Sequence, residues 1–197
     1  MALRDAVLVA LLDGESSGYD LAKGFDASVA DFWMATPQQL YRELDRLAED
    51  GLVQSRLVQQ ERRPNKRMYS LTDAGREAIR EFIAKPPKPS TIRDDLLVKV
   101  AAADTGDTRV VRDFVAEYAR QSAVKAERYE RFRTRMLNGR SERQYLAEAE
   151  RVGPYLTLLR GISFEQENIR WAETALTVLD DRLRAEPPRA SQELRSL

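Results

Sequence analysis

Thr36-Pro37-Gln38-Gln39-Leu40-Tyr41-Arg42-Glu43-Leu44-Asp45-Arg46-Leu47-Ala48-Glu49-Asp50-Gly51-Leu52-Val53 carries the start and stop of one helix in its own residues. Thr36 is an N-cap whose hydroxyl can accept from the first free amides, and Gln39 three residues on completes a capping box. Pro37 falls at the first helical position, where its missing N–H costs nothing. At the other end Gly51 suits the left-handed residue that closes a helix, and Leu52 can fold back on Leu47. Between these limits Leu40, Leu44 and Leu47 make an apolar stripe, with Gln38, Arg42 and Asp45 opposite. The spacing predicts a helix that docks one face on a core and leaves the other for a ligand.

Upstream, the apolar run Leu3 to Leu12 predicts a short helix ending at Asp13-Gly14, with Gly14 as a left-handed cap. Ser16-Ser17-Gly18 breaks the chain and offers hydroxyl caps to a second helix. That helix is expected from about 18 to 32, with Leu21, Phe25 and Val29 on one face. Downstream the period drops from 3.6 to 2. Residues 53–59 and 66–71 predict two strands, joined by the basic turn Glu61-Arg62-Arg63-Pro64-Asn65. Thr72-Asp73-Ala74-Gly75 then opens a fourth helix, which stops before Lys85-Pro86-Pro87-Lys88-Pro89. Three helices followed by a hairpin is the order of a winged helix-turn-helix.

Beyond the proline run the pattern is helical throughout. A short helix is expected from Asp94 to Ala103. A long one follows from Thr108 to Leu137, with Phe114, Tyr118, Tyr129, Phe132 and Met136 along one side. After the turn Asn138-Gly139-Arg140, helix resumes from Ser141 to about Leu183, and Gly153-Pro154 either kinks it or starts a new helix. Ile162, Ile169, Leu176 and Leu183 recur every seventh residue, with Ala172 and Leu179 between them; Glu165 is the misfit. Such a stripe serves an intramolecular bundle or an intersubunit seam, and a division between the two is expected. The fold class is therefore mainly α with a small β-hairpin. It comprises a winged helix-turn-helix (1–85), a linker (86–93), a helical dimerisation domain (94–186) and a tail (187–197) expected to fray.

Composition narrows the function. The 197 residues include no cysteine and no histidine. This removes disulfides, thiolate nucleophiles, the Ser-His-Asp arrangement and nearly every zinc site. No phosphate-cradling glycine motif is present, so no catalytic residue, metal or cofactor is assigned. No apolar run reaches the ~18 residues of a membrane span, and the start lacks a secretory signal, so a cytoplasmic protein is expected.

Formal charge is zero, with 32 basic and 32 acidic residues, so any attraction for a polyanion must be local. Residues 54–70 hold Arg56, Arg62, Arg63, Lys66 and Arg67 against Glu61 alone. In a winged helix the third helix enters the major groove. There Gln38 suits adenine and Arg42 guanine, each as a bidentate pair. Thr36, Gln39 and Tyr41 flank that face within reach of phosphates, and Arg62, Arg63, Lys66 and Arg67 form a wing able to follow the backbone. Asp45 is expected to pair with Arg42 or Arg46. The expected partner is double-stranded DNA. A winged-helix protein-interaction module without DNA binding is the competing reading.

The residues quoted above, with Ser17-Gly18-Tyr19-Asp20-Leu21 and Pro64-Asn65-Lys66-Arg67-Met68-Tyr69-Ser70-Leu71-Thr72, resemble the PadR family of bacterial regulators. The likeness is to the subfamily with a long C-terminal helical domain, in which Trp171 matches a tryptophan of the last helix. The resemblance implies a homodimer held mainly by the C-terminal helices. It also implies a near-palindromic operator, usually repressed, and in some members a small aromatic effector that weakens DNA binding. Trp33 and Trp171 are the candidate ligand-facing residues, with core packing the favoured alternative for both.

Overall fold

The computed structural model describes residues 3–28, 35–59, 65–87 and 93–185. The chain forms two compact units: residues 1–89 with 150–157, and residues 90–149 with 158–197. The sequence reading placed 150–157 wholly in the helical domain. They belong to the first unit, where Arg151 forms an ion pair with Asp13.

The first unit begins with α1 (Leu3–Ala10), which tightens into a 3-10 turn over Leu11–Asp13. Gly14 ends it with φ 129° and ψ −170°. That is an extended conformation reserved in practice for glycine, not the left-handed cap expected. The next residues pair instead of merely capping: β1 (Ser16–Ser17) runs antiparallel to β3, with Ser16 opposite Tyr69. The sheet therefore has three strands in the order β1-β3-β2, with β2 (Val53–Val58) and β3 (Lys66–Leu71) in register from Val53–Leu71 to Val58–Lys66. A two-residue strand is too short to show a period, which is why the alternation signal missed it.

Ser17 also caps α2 (Gly18–Ser28): its Oγ accepts from the Asp20 amide at 3.0 Å. The expected continuation of this helix to residue 32 lies outside the described residues. In α3 (Pro37–Glu49) both termini form as their residues dictate. The Gln39 amide donates to Thr36 Oγ at 3.2 Å, and the Thr36 amide to Gln39 Oε1 at 2.9 Å. At the far end the Leu52 amide donates to Leu47 O and the Gly51 amide to Ala48 O, with Gly51 at φ 70°. This is the full Schellman closure.

The stripe of α3 docks on α1: Leu40, Leu44 and Leu47 are buried with Val7, Leu8 and Leu11, and Tyr69, Leu71 and Ile79 close the core from the sheet and α4 (Asp73–Ile83). Each buried leucine contributes about 1.5–3 kcal/mol. The docking thus fixes which face of α3 is left outward.

In the second unit α5 (Asp95–Ala101) is capped by Asp94 and α6 (Thr108–Leu137) by Asp107. Asn138, left-handed at φ 46°, ends α6, and α7 (Glu142–Glu148) starts at a Ser141–Gln144 capping box. Pro154 lies in the first turn of α8 (Gly153–Ala185), so it starts this helix rather than kinking one.

Helices α6 and α8 run antiparallel, as successive contacts show. Arg112 pairs with Asp180 at 2.9 Å, Tyr118 meets Trp171 edge-on at 6.0 Å, and Lys125 faces Glu165 at 3.5 Å. Tyr129 packs on Gly161, where a Cβ would come within 3.2 Å of its ring. Of the heptad stripe, Ile162, Ala172 and Leu179 are buried, whereas Ile169, Leu176 and Leu183 are only half-buried. Glu165, the misfit, is 4% exposed and accepts from Asn168 Nδ2 at 3.2 Å. Most of the expected linker (residues 88–92) and the whole expected tail (187–197) lie outside the described residues.

Candidate nucleic-acid interface

The outward face of α3 follows from the burial of its leucines. Gln38 and Arg42 are exposed there, and neither has a hydrogen-bond or ion-pair partner among the described residues. Thr36 and Gln39 are exposed too, but each side chain accepts from the other residue's backbone amide in the capping box. They therefore define where the helix begins before they can touch anything else.

Tyr41 is 42% exposed, and its ring lies over the start of α2. A Cβ at residue 18 would come within 2.3 Å of Tyr41 Cε1, so Gly18 is what lets this ring settle.

The wing side is built on β3. Lys66 Nζ lies 2.5 Å from Asp20 Oδ2, and Asp20 also accepts from Ser17 Oγ at 2.8 Å. These two donors, Lys66 foremost, hold the Asp20 carboxyl below the usual aspartate range against a small opposing effect of burial. Arg67 and Tyr69, two apart on β3 and so on one face, both reach Asp45: Arg67 Nη1 at 3.3 Å and the Tyr69 hydroxyl at 3.5 Å. Burial of the Tyr69 ring, more than any charge, raises its pKa.

Asp45 thus pairs with the wing and not with Arg42 or Arg46, as its sequence position had suggested. Neighbours one apart on a helix do not face each other, and β3 supplies two donors at closer reach than Arg42. On β2, Arg56 forms a two-armed ion pair with Glu15, with Nε 2.9 Å from Oε2, and the Glu15 carboxyl is held low by it.

Three of the five cations counted in residues 54–70 are therefore compensated by acids from outside that segment: Glu15, Asp20 and Asp45. Nothing in the local sequence signals these partners. They are set by the pairing of β1 with β3 and by the docking of α3. Between the wing and the recognition face lies an open cleft of about 760 Å³, lined by Tyr19, Tyr41 and Tyr69 and by the Asp20–Lys66 and Asp45–Arg67 pairs.

Arg62, Arg63 and Trp33 lie outside the described residues. Trp171 is half-buried and packs against the core formed by Ala103, Val115, Ala172 and Leu179. Among the described residues no three potential metal ligands gather, and no helix is long and apolar enough to cross a membrane.

Two family models match the chain: the transcriptional regulator PadR-like family over residues 7–81, and the virulence activator alpha C-terminal family over residues 92–180. A probable transcriptional regulator of Mycobacterium tuberculosis, Rv1176c, is 34% identical over 196 residues, covering 92% of this chain and 100% of that one. The negative transcriptional regulator PadR of Bacillus subtilis is 27% identical, covering 90% and 97%. The crystal structure of Bacillus subtilis PadR in complex with operator DNA superposes with a TM-score of 0.71 at 26% identity, covering 90% and 99%.

Proposed function

This chain belongs to the PadR-like family of transcriptional regulators, and from that premise we propose that it represses transcription as a homodimer bound to a near-palindromic operator. The observation that carries the reading is the outward face of α3, where Gln38 and Arg42 stand exposed with no partner among the described residues, in the same unit as a basic strand. Seated in the major groove, Arg42 would donate to guanine O6 and N7 and Gln38 would pair with adenine N6 and N7. The N-terminal end of α3, fixed by the Thr36–Gln39 box, favours a nearby phosphate. Arg62, Arg63, Lys66 and Arg67 extend the contact along the backbone. A relative of like length has been crystallised on its operator, which supports the same use of the fold here.

A homodimer is supported by the second unit, where Val98, Val110, Phe114, Val124, Phe164 and Val178 are each 46–69% exposed. So many large apolar side chains left outward suit burial against a second copy. Two recognition helices would then meet half-sites roughly 34 Å apart. In sedimentation at micromolar concentration the full chain is expected at twice the mass of one chain; a monomer would remove the two-fold operator from the proposal.

The DNA reading is tested by gel shift with DNA from upstream of the chain's own gene, over 50–300 mM salt. Affinity should fall steeply with salt, and Arg62→Ala/Arg63→Ala should weaken binding and flatten the salt slope by about two per subunit, about four for the dimer. Absence of binding even at the lowest salt would leave the protein-interaction reading in its place.

A further inference from the structure

The two described cations at the base of the wing do not wait in solvent for DNA. Lys66 is held by Asp20 and Arg67 by Asp45, acids 46 and 22 residues away in the chain. We propose that Asp20 and Asp45 are positioning residues for DNA binding, keeping Lys66 and Arg67 off the phosphates of non-operator DNA and releasing them when α3 seats in its operator. The inference rests on the DNA-binding reading above.

Three features carry it. First, a carboxylate oxygen on an ammonium or guanidinium occupies the place a phosphate oxygen would take, so each pair excludes one phosphate contact. Second, the pairs can be exchanged. Their side chains are 34–58% exposed, where ion pairs are weak and a well-placed phosphate can compete. Third, their anchors lie on the elements that would sense seating. Asp45 projects from α3, beside the face that carries Gln38 and Arg42, and Asp20 projects from the capped first turn of α2. Insertion of α3 brings backbone phosphates beside these carboxylates, and like charge then favours their separation from the cations. Loose contact along random-sequence DNA leaves α3 unseated and the pairs closed.

The experiment compares full-length wild type with Asp20→Asn/Asp45→Asn. One probe is an operator oligonucleotide that the wild type selects from a random pool; the other is poly(dI-dC). Affinities are measured over 50–300 mM salt. Each cation released to a phosphate steepens the slope of log K against log salt by about 0.9. The variant should therefore steepen the slope on poly(dI-dC) by about 1.8 per subunit, about 3.6 for the dimer, with tighter binding, and leave the operator slope unchanged.

Glu77→Gln, which removes one carboxylate charge, as each Asp→Asn does, from α4 away from the cleft, should change neither slope. Asp45 takes no part in a helix cap, so Asp45→Asn alone carries the test, at about 0.9 per subunit and about 1.8 for the dimer, if Asp20→Asn disturbs α2. An unchanged poly(dI-dC) slope in a folded variant overturns the proposal, as does an equal steepening on both DNAs or with Glu77→Gln. Failure of the wild type to select any DNA overturns the underlying reading, a distinct result.

Discussion

Replacing Gly75 by alanine is expected to destabilise the first unit by roughly 2–4 kcal/mol, the range of forced overpacking at a site that cannot relax. A Cβ at residue 75 would lie 2.1 Å from the Leu52 carbonyl oxygen and 3.2 Å from Leu71 Cδ2. That oxygen cannot move aside. It accepts from the Thr72 amide at 3.1 Å and from Thr72 Oγ at 3.0 Å, while the same hydroxyl reaches Gly51 O at 2.7 Å and caps α4 through the Gly75 amide. Leu52 is also the residue whose amide closes α3. The end of the recognition helix, the outer ends of β2 and β3 and the start of α4 thus meet at one place. In a thermal melt followed by circular dichroism, the variant's first transition should fall by about 8–30 °C. Gly106→Ala serves as control: a Cβ there meets nothing within 4 Å, and its melt should match wild type. Equal melts for Gly75→Ala and wild type would show that the junction tolerates a shift the geometry denies.

The second large effect concerns recognition. Gln38→Ala/Arg42→Ala should weaken operator binding by on the order of 30- to 10⁴-fold for each half-site, since each bidentate base contact is worth about 1–3 kcal/mol. Binding to random-sequence DNA should barely change. Both side chains are exposed and have no partner among the described residues, so their removal leaves the fold intact. The contrast between the two DNAs is the measurement that matters. A parallel loss on both would recast these residues as backbone contacts, and no loss would move the reading face elsewhere on α3.

The recognition helix was legible to the residue because its signals are local: a cap, a proline, a glycine and a leucine period all fall within 36–52. The start of α4 and the two hairpin strands, β2 and β3, were equally plain, for the same reason. What stayed hidden is non-local. Strand β1 has too few residues to declare itself and exists because β3 offers it an edge. The ion pairs of Lys66, Arg67 and Arg56 join positions far apart in the chain, so a count of charge along the sequence made the wing more positive than the folded surface is. Residues 150–157 read as part of the helical domain, yet they group with the first unit although 153–157 open α8. The candidate site divides in the same way. Gln38 and Arg42 followed from the face opposite a stripe, but the acids facing the wing required three dimensions.

Glu165 has a consequence for how the second unit aligns. A seven-residue repeat is ambiguous about register: α8 could slide one heptad along α6 and still set apolar residues against apolar ones. The contacts already described place Glu165 level with Lys125. A slide of seven in either direction would bring it level with Tyr118, or with Phe132, over whose ring Arg135 lies, and would part the carboxylate from Lys125. A buried carboxylate separated from its ammonium is costly, which disfavours both alternatives. The one residue that spoils the repeat is thus the one that tells it where to stop.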